Sequence, residues 1–460
     1  MTLVLGIDSS TQSTKALLVD AETGEVQEAG RAAHPDGTEV DPRAWLTAVN
    51  EAAGALLPRA EAVAVGGQQH GMVALDERGG VVRDARLWND TRSAAQAIAL
   101  VAEMGGPEKC VEDLGYVLVA SMTSTKLRWL AENEPENARR TASVLLPHDY
   151  VSRHLVGGGD PFTDRGDASG TGYWSLRTQA WDQELLQMAL GHRALLPEVA
   201  ATPNAVMAHT PAGAVVAPGT GDNMAAALGL SLGPGDVSVS VGTSGVAAMV
   251  SDNRPADPSG TVTGFADATG RFLPMATTLN AARVLDFGCR LLGVDHDGLS
   301  ALALSSRPGA GGVVLLPYLD GERTPNRPNA TGVFAGLTSA TGREDIARAC
   351  VEGLLCALAD AVSAVERVAG QEAGRILLIG GGARSAAVTR LAPTVFGRLV
   401  AVPPPGEYVA LGAARQAAWA LSGLDEPPSW QMGSVQEYDA VHEPAVLERY
   451  LSLKERTTLW

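Results

Sequence analysis

Lysine is nearly missing from this chain. Only Lys15, Lys109, Lys126 and Lys454 carry an ammonium among 460 residues, and arginine supplies the rest of the 35 cations set against 52 carboxylates. The formal net charge is -17. A field of that sign repels phosphate backbones and anionic lipid heads, which excludes nucleic acid and membrane surfaces as general partners. An anionic ligand must then be met locally, by backbone N–H groups, a metal ion or a few placed cations. Cysteine is as sparse: Cys110, Cys289, Cys350 and Cys356, with no C-x-x-C pair. That spacing points to free thiols in a reducing compartment and away from a thiolate metal site. No basic-then-apolar leader opens the sequence and no apolar run reaches the length of a membrane span, so the cytoplasm is the expected location. The shortage of lysine fits a GC-rich coding bias, yet it draws the eye to Lys15.

What is present is a large apolar fraction, 45%, in a chain too long for one ordinary core, so two domains are expected. Strands are predicted at Leu3–Ile7, Lys15–Val19 and Val26–Ala32. A helix follows over "DPRAWLTAVNEAAGALL", with Asp41 as N-cap and Pro42 as the first helical residue. "AVAVGG" (Ala62–Gly67) reads as a short buried strand. The order returns later. "DVSVSVGTSGVAAMV" (Asp236–Val250) is a second hairpin, followed by strands at Thr261–Phe265 and Arg271–Met275 and a helix at Leu279–Leu292. "GGVVLLPYL" and "RILLIGGG" read as buried strands on either side of a long helix, Arg343–Val368. Two related α/β domains follow, 1–233 and 234–460, divided near the Gly- and Pro-rich "SLGPGD". Clefts between domains favour ligands.

Asp8 stands where the first strand ends, and a buried carboxylate is costly unless paired, hydrated or metal-bound. The turn "SSTQST" beside it offers N–H groups and hydroxyls suited to phosphate oxygens, and Lys15 adds a point charge. "VGTSG" (Val241–Gly245) repeats the arrangement. Facing each other, the two hairpins could hold a β- and a γ-phosphate, with magnesium near Asp8. The plain alternative is that Ser, Thr and Gly merely form turns. "LLIGGGARS" gives a glycine turn between strand and helix, fit for a nucleotide against bare backbone or simply for tight packing. "GGQQHG" collects Gln68, Gln69 and His70, which suit a polyhydroxylated ligand, though His70 could equally be structural. In "PGTGDNMAAALG", Asp222 is either a helix cap or a base held by the N-terminal end of that helix. "LWNDTR" and "LPYLDGERTP" offer substrate contacts, or else Trp88 in a core and Asp320, Glu322 and Arg323 in a surface ion network.

The ordered set "GIDSSTQSTKALLVD", "GGQQHGMVALD", "LWNDTR", "LLPHDY", "TGDNMAAALG", "SVGTSG", "LPYLDGERTP" and "LIGGGARS" resembles the FGGY family of carbohydrate kinases from the first residues to about Ala414. The resemblance implies two actin-like ATPase (ribonuclease H-like) domains around a central cleft, ATP and Mg2+ as cofactors, and phosphorylation of a small-molecule sugar. A ketopentose, D-xylulose phosphorylated at O5, is the implied acceptor. By position, Asp222 matches the general base and Asp8 the carboxylate that organises metal and transferring phosphate. Gln69 and His70, with Asn223, match the sugar side. Thr11 and Lys15 match the first phosphate hairpin, Gly242 and Thr243 the second, and Gly381, Gly382 and Arg384 the adenosine-side loop. Two features depart from relatives. Gln69–His70 replaces the charged residues of glycerol kinases, which speaks against glycerol. Ser9–Ser10 stands where many members have Gly beside the Asp. Asp222 is expected near an ordinary carboxylate pKa of about 4, a weak base from which the proton moves late. Rival readings are a kinase for ribulose or another ketose or polyol, a non-catalytic sugar-binding regulator, and an actin-like chaperone or filament. Asp8, Asp222 and Thr243 together argue against the regulator. Nothing in the sequence fixes the oligomeric state; a homodimer is the assembly entertained.

Overall fold

Each of two seven-stranded sheets is built around an antiparallel hairpin in the computed structural model, which describes residues 1–431 and 433–458. In the first sheet, Leu3–Ser9 pairs antiparallel with Ser13–Asp20, which pairs antiparallel with Val26–Ala33. On its other side, Leu3–Ser9 runs parallel to Ala62–Gly67. The second sheet repeats the plan. Asp236–Val241 pairs antiparallel with Gly245–Met249, which pairs with Phe272–Thr278, while Arg375–Ile379 lies parallel on the far side. Parallel central strands need both faces covered: Leu3–Ser9 is buried in all but its first residue, and Arg375–Ile379 is buried over Ile376, Leu377 and Leu378. The expected two-lobed, actin-like α/β architecture is the one found, and the repeat of hairpin, third strand and parallel neighbour recurs in both sheets, with Thr263–Ala266 added at the edge of the second and Thr220–Gly221 pairing off the main path of the first.

The departures have local causes. Pro42, expected as the first helical residue, occupies the cap position and the helix runs Arg43–Ala53. Asp41 stands one residue further out, where its Oδ1 accepts the Arg43 N–H at 3.0 Å. The helix expected from Leu279 starts at Ala282. Glu322 explains this: its carboxylate accepts the Leu279 N–H and the Asn280 side-chain amide, holding those residues out of the helix. Glu322 is therefore buried, not part of a surface network, whereas Asp320 is exposed and reaches Arg283 at 3.3 Å. The four cysteines are free thiols, and no helix among the described residues is long and apolar enough to cross a membrane.

Sequence half and spatial lobe part company at one element. The helix Tyr408–Ser422 comes late in the chain but packs on the first sheet, its Ala410, Ala413, Ala414 and Ala417 against Val4, Val19, Ala62 and Ala64. The contact is closer than side chains allow. A Cβ on Gly6 would lie 1.9 Å from the Ala410 carbonyl O, and one on Gly412 would lie 1.8 Å from the Ala225 carbonyl O. Glycine permits backbone-to-backbone approach where any side chain would collide. The same helix thus clamps the strand that carries Asp8 and the helix Asp222–Gly229.

Candidate active site

A cleft of about 1210 Å3 opens between the two sheets. Asp8, Lys15, Asp222, Asn223, Gly381 and Arg384 line it together, so the two carboxyl groups share one space. Thr11, Gln69, His70, Gly242, Thr243 and Gly382 lie outside its wall, Gln69 and His70 buried behind it. Thr11 Oγ1 accepts from Trp88 Nε1 at 2.9 Å, and Trp88 is part-exposed rather than core. Gly242 and Thr243 form the tip of the second hairpin, where their carbonyls accept the N–H groups of Ala282 and Ala281. The two glycines after Arg375–Ile379 divide their tasks. Gly381 faces open space, whereas a Cβ on Gly382 would meet Val241 at 2.4 Å. Several wall residues carried no signal in the reading above: Ser238 and Ser240 on the second hairpin, Pro403–Glu407, and Gln436 and Tyr438 on a late edge strand. The run "PPPGE" was the available clue.

Asp8 is buried at the end of its strand. Burial raises its pKa, against the opposing pull of the Ser10 hydroxyl and the Lys15 ammonium, whose Nζ lies 3.4 Å away. Burial works against the charge of Lys15 as well, but its pairs with Glu407 at 2.7 Å and with Asp8 leave the ammonium above its ordinary value. Asp222 is the first residue of its helix, with Gly221 in the cap position, so its side chain is not the cap. Its Oδ1 accepts both the Asn223 N–H at 2.7 Å and the Asn223 side-chain amide at 2.8 Å. Burial, then the nearby Asp8 carboxyl, push its pKa up to about 7. The expectation of an ordinary pKa is thereby corrected, because the site is drier than the sequence could show and a second carboxyl adds repulsion.

The Asn223 amide also donates to Gln69 Oε1 at 2.8 Å, which joins the Gly66–Gly71 loop to Asp222. A Cβ on Gly221 would press on Gln69 at 2.7 Å, so a glycine there lets the loop lie against the Asp222 turn. His70 is buried in a left-handed conformation, φ 65°. Its ring sits 5.5 Å from that of Phe265, which belongs to the second sheet. Nδ1 lies 2.8 Å from the Gly170 carbonyl O. A carbonyl only accepts, so Nδ1 carries the hydrogen and Nε2 is the free acceptor. Burial, reinforced by the Lys126 ammonium, lowers the His70 pKa to about 3, and the ring stays neutral.

A buried charge cluster that sequence reasoning missed lies behind the Asp222 turn. His148 Nδ1 reaches Asp167 at 2.8 Å and its Nε2 faces Asp149 at 3.2 Å. Burial opposes the His148 charge, but the two carboxylates hold its pKa above the ordinary value. Asp164 accepts from the Thr220 hydroxyl at 2.7 Å, fixing the approach to Gly221 and Asp222. "LLPHDY" contains His148 and Asp149, but nothing in a linear string says that Asp164 and Asp167 return to them.

Among the described residues no group of three or more His, Cys, Asp or Glu side chains is placed to hold a metal ion. A caged metal is thus not built. Magnesium in phosphoryl transfer is instead held by one or two carboxylates plus substrate phosphates and water. Asp8, opening on the cleft, fits that donor set as its single carboxylate.

The model of the FGGY family of carbohydrate kinases, N-terminal domain, matches residues 3–229, and that of its C-terminal domain matches 237–421. A xylulose kinase of Streptomyces coelicolor is 46% identical over 97% of this chain and 95% of its own length. A xylulose kinase of Escherichia coli is 36% identical over 90% of this chain and 89% of its own length. The crystal structure of xylulose kinase from Bifidobacterium adolescentis superposes with a TM-score of 0.94 at 46% identity, covering 98% of this chain and 99% of that one.

Proposed function

This chain belongs to the FGGY family of carbohydrate kinases, and from that premise we propose that it transfers the γ-phosphoryl group of ATP to O5 of D-xylulose, giving D-xylulose 5-phosphate and ADP. The observation that carries the reading is the single cleft shared by Asp8, Asp222, Lys15 and Gly381. Asp222 takes the proton from the sugar hydroxyl as its oxygen attacks the γ-phosphorus. The bond from that phosphorus to the β–γ bridging oxygen breaks, and ADP leaves with the electron pair. A base with a pKa of about 7 accepts that proton more readily than an ordinary carboxylate. Lys15 meets phosphate oxygens as a point charge, and Gly381 and Arg384 border the nucleotide. Asp8 would hold Mg2+, which neutralises charge on the β- and γ-phosphates when bound, and Asp222 is left free as the base. Gln69, Asn223 and neutral His70 offer donors and acceptors to the sugar hydroxyls.

ADP release with MgATP across a panel of pentuloses, polyols and aldoses tests the assignment. D-xylulose is expected to give the highest kcat/KM. A higher value for ribulose, glycerol or an aldose rejects it.

Glu407 occupies Lys15 at 2.7 Å where a phosphate oxygen is proposed to bind. Its carboxylate competes with ATP for that ammonium and repels the incoming phosphates. Exposed pairs of this kind are worth up to about 1 kcal/mol. Glu407→Gln is expected to lower the KM for ATP by about two- to fivefold, with the sugar KM unchanged, as read from initial rates at saturating sugar.

A further inference from the structure

Beneath the sugar-side loop lies a lysine that no reaction step uses. Lys126, in the first turn of the helix Thr123–Asn133, is wholly buried. Its Nζ donates to the His70 carbonyl O at 3.1 Å, to the Ser121 carbonyl O, and to the Met122 carbonyl O at 3.4 Å. Three donors meet three carbonyls, and among the described residues no carboxylate forms an ion pair with it. An ammonium buried without a partner carboxylate is costly. The cost is visible in the burial that pulls the Lys126 pKa down to about 7. Packing alone would be served better by leucine or methionine.

What the ammonium gains is hold on one backbone group. The His70 carbonyl also accepts from the Thr123 hydroxyl at 3.2 Å, so one helix turn aims two donors at it. His70 has φ 65°, a region sparsely used by residues other than glycine, and such a conformation persists only where its surroundings impose it. On the far side of that turn, Gln69 Oε1 takes the Asn223 amide at 2.8 Å, and the same amide reaches Asp222 at 2.8 Å. Polar contacts from the helix at 123–133 to His70, and from the adjoining Gln69 through Asn223 to Asp222, thus meet across one peptide link.

We infer that Lys126 is a positioning residue for the sugar: its ammonium holds the His70 carbonyl and so fixes the left-handed turn that carries His70 and seats Gln69 against Asn223, the partner of Asp222. The inference rests on the proposed contact of Gln69 and His70 with the sugar. Its test uses the full-length enzyme with D-xylulose and MgATP, comparing Lys126→Met, Thr123→Val and, in parallel, His70→Asn. Lys126→Met is expected to raise the D-xylulose KM about tenfold or more, and Thr123→Val by about threefold. The ATP KM stays within about twofold of wild type in both. A loss of folded enzyme alone would lower apparent kcat and leave this split between the two KM values unmoved. Should Lys126→Met fail to fold, the near-isosteric Thr123→Val decides. A sugar KM within about twofold of wild type in the folded variants, while His70→Asn raises it, overturns the role of Lys126 alone. An unchanged sugar KM in all variants overturns the sugar contact of His70 as well.

Discussion

Asp222→Asn is expected to lower kcat by about 10²–10⁴-fold, the range general-base help supplies, while ATP still binds. Asparagine keeps the Oδ1 acceptor that receives both Asn223 donors, so the local fold survives and only basicity is lost. The pH profile carries the same signature with a definite sign. Asp222 must be ionised to accept the proton, so wild-type kcat/KM for the sugar should rise with pH through about 7 and level above it. The variant should lack that limb. Stability moves the other way. The Asp222 pKa is about 4 in the unfolded chain and about 7 in the folded one. Between those values the folded state binds more protons, and stability falls as pH rises. At pH values above that window Asp222→Asn should melt at a higher temperature than wild type, and below it the two should coincide. Near-wild-type turnover in the variant, or an acid limb that persists in it, removes Asp222 from the role of base.

Gly412→Ala is expected to be the most damaging single-methyl change in the chain. The added carbon would sit 1.8 Å from the Ala225 carbonyl O and 2.9 Å from the Gly229 N. Both are backbone atoms of the helix that begins at Asp222, and neither can swing aside as a side-chain tip would. Overpacking of this kind costs about 1–3 kcal/mol where neighbours can adjust and more where they cannot. Relief requires lifting the helix Tyr408–Ser422, whose other contact, Gly6, lies on the strand of Asp8. A fall in melting temperature of more than about 4 °C, with kcat reduced in the protein that remains folded, is the expected outcome. A variant that melts and turns over like wild type would show that the helices can separate without cost.

The elements of this fold were legible where period and turn chemistry act locally. Ala62–Gly67 is bounded as its composition predicts, and the long helix from Arg343 ends one residue beyond its expected end, at Ala369. The repeat of a hairpin followed by further strands and a helix was readable because apolar runs broken by short polar turns recur in order, whereas the parallel pairing beside each hairpin was not. The candidate residues that gather in the cleft were visible as motifs, but their environment was not. The Asp222 pKa depends on burial between two sheets and on Asp8, more than two hundred positions away in the chain. Glu322 looked like surface because "DGER" is charged; it is buried because two backbone N–H groups and an amide converge on it. His148 with Asp167, and Lys126 under His70, depend on chain crossings that no local pattern encodes.

The alanine-faced helix at 408–422 has a consequence for anyone cutting this protein into pieces. A fragment ending near residue 233 would leave Val4, Val19, Ala62 and Ala64 bare to water, and its partner fragment would carry an unclad helix. Separate expression of the halves should yield two aggregating polypeptides that recover only when mixed. A chimera with a relative must take this helix from the same parent as residues 1–229, or accept a mismatched seam.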